Sequence, residues 1–158
     1  MTENPFIEVL NELWKLLESR DDFTNLVKVG NRTKLTGTAV NPFKDSVQDS
    51  DLPEVQIIPG GGKTNLFATS TSHFVEQVYF IRAVTGELNA LVLFRLKWAL
   101  IKALANTSNN LGLDYVMDID VTDCQDVIEI GDENRGRLGW RGMISVNVKM
   151  KFTKNLLT

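Results

Sequence analysis

The segment from Trp140 to Phe152, WRGMISVNVKMKF, alternates without a break from Ile144 onward. Ile144, Val146, Val148, Met150 and Phe152 fall on one side; Ser145, Asn147, Lys149 and Lys151 fall on the other. A period of two sends successive side chains to opposite faces of a strand. Such a strand belongs in a sheet with one face covered and one face wet. A register slip of one residue would turn the whole apolar set to water. The rest of the chain must therefore supply neighbouring strands and a covering layer.

Further strands are readable. FVEQVYFIRAV, Phe74 to Val84, is rich in aromatic and β-branched residues, with Tyr79, Ile81 and Ala83 on one face and Val78, Phe80 and Val84 on the other. DYVMDIDV places Met117, Ile119 and Val121 opposite Asp118, Asp120 and Thr122. PEVQIIPG reads as a short strand whose flanking prolines, Pro53 and Pro59, suit an edge or a strand end. NLVKVG, Asn25 to Gly30, reads as a first short strand.

Two helices cover them. Asn4-Pro5 is a start signal, an N-cap followed by a first-turn proline. Phe6, Leu10, Leu13, Trp14 and Leu17 then form an apolar stripe on a helix to about Arg20. A second helix runs from about Glu87 to Ala105. It carries Leu88, Leu91, Val92, Leu96, Ala99 and Ala103 on one side and Phe94, Trp98 and Ile101 on another. A helix so apolar is covered on more than one side, and another subunit is one source of that cover. The order α-β-β-β-α-β-β gives an α+β fold, a mainly antiparallel sheet of four to five strands packed by two helices. Residues 1–158 read as one domain with long loops at 31–52 and 60–73. At 158 residues the length suits that reading.

The charge of −3 and pI near 5.2 argue against a dedicated nucleic-acid binder, which carries a basic surplus. Cys124 is the single cysteine, so no internal disulfide forms. The start, MTENPFIEVL, is unlike a signal peptide. The apolar run Leu88–Leu104 is interrupted by Arg95, Lys97 and Lys102, which does not suit a membrane span. A soluble, intracellular chain is expected.

PGGGKT, Pro59 to Thr64, resembles a phosphate loop but lacks its frame. The motif needs a glycine five residues before Gly62, where Ile57 stands, and a helix after Thr64, where NLFATSTSH follows. The glycines read as loop residues. Other clusters are equally plain. Asp118, Asp120, Asp123 and Asp126 lack the spacing of a calcium loop, because Thr122 stands where an acid is needed, and the first two read as the wet face of a strand. His73, the one histidine, reads as a surface residue at a strand start, and Cys124, among acids, as a half-buried structural thiol. Arg135, Arg137 and Arg141 cluster around the last turn beside Trp140. Trp and Arg mark protein–protein contacts, and the adjacent Asp132 and Glu133 favour that reading over nucleic acid. Trp14 and Trp98 lie on helical stripes, where a core role is usual. No constellation resembles an active site; no enzyme activity, metal or cofactor is expected.

Four stretches taken in order resemble the tail terminator (tail-completion) proteins of long-tailed bacteriophages. They are PFIEVLNELWKLLE, PEVQIIPGG, FVEQVYFIRAVTGELNALVLFRLKWALIKAL and GWRGMISVNVKMKF. The resemblance rests on element order and spans nearly the whole chain. It implies a non-enzymatic virion protein at the head-proximal end of the tail, assembled in the host bacterial cytoplasm. It implies a closed ring, commonly six-fold, that caps the tail tube, stops its polymerisation and presents a surface to the head–tail connector, with DNA passing through and no specific nucleic-acid binding. Phe94 and Trp98 of the second helix, with Arg137, Trp140 and Arg141, are then the interface candidates. Minor head–tail joining proteins share the same order, and a small adaptor module that reads a partner through its sheet edge fits the same residues.

Overall fold

The computed structural model describes residues 4–34, 53–60, 72–85, 90–105, 110–130 and 138–153; of residues 33, 90, 126–130 and 138–141 the backbone alone is described. Most of the two long loops, at 35–52 and 61–71, lies outside the described residues, as do Glu87, Leu88, Arg135 and Arg137.

Helix α1, Pro5–Glu18, starts as its sequence requires: the Asn4 side chain accepts a hydrogen bond from the Phe6 N–H at 3.0 Å, and Pro5 fills the first helical position. Its buried face is Val9, Leu13, Trp14 and Leu17. Phe6, placed on that stripe by spacing, is 38% exposed.

The expected strand at 25–30 is absent. The chain forms a short helix α2, Asp21–Thr24, and a single 3₁₀ turn, Val29–Asn31. The reason is spacing: Phe23 and Val27 stand four apart, and the Val27 N–H donates to the Phe23 carbonyl at 3.0 Å while both side chains are fully buried. Arg32 then locks the turn. Its guanidinium donates to the Val27 carbonyl from Nε at 3.2 Å and Nη2 at 2.9 Å, and to Glu18 from Nη1 at 2.9 Å.

Five strands follow: β1 Arg32–Thr33, β2 Glu54–Pro59, β3 Ser72–Thr85, β4 Val116–Ile130 and β5 Leu138–Thr153. Their order in the sheet is β1-β2-β3-β5-β4, antiparallel throughout except for the two-residue β1 beside β2. The α+β class and mainly antiparallel sheet hold, with three helices rather than two. One row shows the register: Ile57 pairs with Ile81, Ile81 with Ile144, and Ile144 with Cys124. Paired residues share a face. That face is the covered one. The Tyr79 hydroxyl donates to the Phe6 carbonyl of α1 at 2.9 Å, and Leu93 and Leu100 of α3, Ala90–Ala105, meet Ala83 and Ile144. Val146, Val148 and Met150 are fully buried there, as the alternation requires.

Strand β4 departs from simple alternation. Register shifts fall between Val116 and Asp118 and between Val121 and Asp123, so Met117 and Thr122 are bulge residues. Met117 is thrown out of the face it was expected to share and is 52% exposed, whereas Ile119 and Val121 pair with Val148 and Val146. The turn Asn110–Leu113 that leads into β4 uses positive φ at Leu111 and Gly112.

Candidate assembly surface

Helix α3 is built from strong helix formers and contains neither glycine nor proline from Ala90 to Ala105. Leu93, Leu96, Ala99, Leu100, Ala103 and Leu104 are buried in the core, where α3 meets the sheet and the first two helices. On the opposite side, Leu91, Phe94 and Trp98 are 68%, 54% and 60% exposed. Spacings of three and four put these three on one outward stripe. Leu91 thus leaves the side it was expected to share with Leu96 and joins Phe94 and Trp98. The two tryptophans part company: Trp14 is core, and Trp98 is surface. Covering the exposed remainder of the three side chains is worth on the order of 3–5 kcal/mol. Three large apolar side chains exposed together on one helix face form the candidate surface.

The stripe is held in place from α2. Lys102 donates to the Asp22 carboxylate at 2.7 Å and lies 5.9 Å from the centre of the Trp98 ring. That hydrogen bond holds the Asp22 carboxyl below its ordinary value against the opposing effect of burial. Arg95 and Lys97 complete the charged residues of α3, which carries no acid.

A second exposed surface runs along β4, the last strand of the sheet. Met117 and Val121 are exposed, Asp118 and Asp120 are half-exposed, and Asp123 is exposed. Asp118 and Asp120 lie on the face away from the helices, consistent with a wet face, and Lys149 of β5 stands 3.7 Å from Asp120. Cys124, expected to be half-buried, is exposed; it stands on β4, the outermost strand of the sheet, at the uncovered end of the row it shares with Ile144. Near the start of β4 the Tyr115 hydroxyl donates to the Glu8 carboxylate of α1, and burial together with that bond raises the phenol's pKa.

Trp140 and Arg141 were expected in a turn; they lie within β5, opposite Thr85 and Val84 of β3. Their side chains and the whole of Arg137 lie outside the described residues. The long alternating strand extends two residues further back than the turn residues around Arg135–Arg137 implied, since Leu138 already pairs with Ile130.

The glycine loop begins as sheet. The Gly60 N–H donates to the Val78 carbonyl at 2.8 Å, and its own carbonyl accepts from the Gln77 amide at 3.0 Å. A Cβ at Gly60 would stand 2.7 Å from the Phe80 ring, so close packing explains this glycine. Lys63 and Thr64 lie outside the described residues.

Among the described residues, no three His, Cys, Asp or Glu side chains converge as a metal would require. His73 is half-buried in β3, paired with Phe152. The cleft between α3 and the β3–β5 pair, lined by Ala83, Leu93, Lys97 and Ile144, is too small for a substrate. No described helix is long and apolar enough to cross a membrane.

One buried polar group lies outside the residues singled out above. Glu54, Gln56 and Arg82, on the sheet face away from the helices, are 3%, 2% and 9% exposed. Gln56 donates to Glu54 at 2.6 Å, and Arg82 lies 3.5 Å from the Gln56 carbonyl oxygen. Burial lowers the Arg82 pKa, and the nearby Glu54 charge opposes that. The one signal for this burial in the sequence is Arg82, an arginine inside the apolar strand β3.

No protein-family model and no curated protein matches the chain. Among solved structures, it is similar to a chain of the virion of a native gene transfer agent particle, at 9% identity and a TM-score of 0.62, over 90% of this chain and 94% of that one. The TM-score shows a shared fold, and at 9% identity the likeness shows the fold alone.

Proposed function

We propose that the protein is a structural component of a phage-like virion, a tail terminator-like ring subunit. It caps the tail tube, stops its polymerisation and offers a surface to the head–tail connector. The observation that carries this reading is the outward stripe of Leu91, Phe94 and Trp98 on α3, an apolar surface on a helix whose other side already fills the core. A subunit that works by assembly needs such a surface and needs no catalytic pocket. The shared fold with a gene transfer agent virion chain supports the setting. Partners are other copies of the chain in a closed ring, six-fold in this reading, the tail tube protein and the connector protein. The chain acts without enzymatic chemistry or cofactor, at the head-proximal end of the tail.

The test is tube growth. Purified protein added to polymerising tail tubes should bind one end and halt elongation, and Trp98→Glu should lose that activity. Unchanged tube growth at saturating protein rejects the capping role. The second reading, a minor head–tail joining protein, uses the same fold and stripe and predicts binding to connector rings without arrest of tube growth.

A further inference from the structure

We draw no further inference here: the strongest candidate, the exposed apolar patch of Leu91, Phe94 and Trp98 on the outward side of α3, carries nothing beyond the assembly reading above, because nothing in the structure shows what covers it.

Discussion

The Lys102 ammonium lies 2.7 Å from the Asp22 carboxylate and 5.9 Å from the centre of the Trp98 ring. One cation thus ties α2 to α3 and lies beside the largest side chain of the exposed stripe. The hydrogen bond lowers the Asp22 pKa. Its contribution is therefore full above the ordinary carboxylate value and disappears as pH falls through the lowered value in the folded protein. Both side chains are about one-third exposed, so Lys102→Met should cost up to about 1 kcal/mol near neutral pH. Urea midpoints measured near neutral and at acid pH should converge for the variant and the wild type as the acid titrates. A gap that stays constant down to acid pH contradicts this.

Arg32 is a stronger tie. Its side chain is 7% exposed and satisfies Glu18 and the Val27 carbonyl together. Burial pushes the Glu18 carboxyl up, and hydrogen bonds from Lys34 and Arg32 more than offset it. Arg32→Ala removes the bonds that close the α2 turn and should destabilise the fold by roughly 1–3 kcal/mol. Arg32→Lys should recover only part of this, because one ammonium cannot span both acceptors. Urea unfolding of the two variants checks the order.

Two glycines are needed for different reasons. Gly112 sits at φ +74 with open space around it; Gly60 has ordinary backbone but no room beside Phe80. Gly112→Ala should cost about 1 kcal/mol through backbone strain, and Gly112→Asn less. At Gly60, both alanine and asparagine should destabilise, asparagine more, with about 1–3 kcal/mol for overpacking. Equal effects of alanine and asparagine at both sites would remove the distinction. Thermal midpoints of the four variants decide it.

The proposed role of the stripe predicts that folding and assembly come apart under mutation. Phe94→Glu and Trp98→Glu change exposed side chains and should leave monomer stability within about 0.5 kcal/mol. The same changes should abolish self-association. Leu96→Ala, on the buried side of the same helix, should do the reverse, costing about 2–5 kcal/mol in stability. Sedimentation velocity beside urea unfolding reads both quantities on each variant.

These contrasts show what the sequence could carry. Strand β5 was legible because a single layer covers one face, so Ile144 to Phe152 alternate cleanly. The start of α1 was legible because Asn4 and Pro5 act locally. The stretch after α1 was not: a short run such as NLVKVG suits strand or helix, and the deciding contact, Arg32 back to Val27 and Glu18, is tertiary. The bulges of β4 left no mark, since Met117 and Thr122 alternate like ordinary strand residues until they are paired with β5. The surplus apolar surface of α3 was legible, and Phe94 and Trp98 with it. Which side met the sheet was not, so Leu91 was assigned to the wrong one. Cys124 looked half-buried because nothing local marks β4 as an edge.

The central claim is that this chain works by closing on itself. Native mass across a concentration series, with negative-stain images of the most concentrated sample, tests it most directly. A single closed ring that forms cooperatively and is lost in Trp98→Glu is the expected result. A chain that stays monomeric at every concentration, or stops at a two-fold dimer, contradicts it.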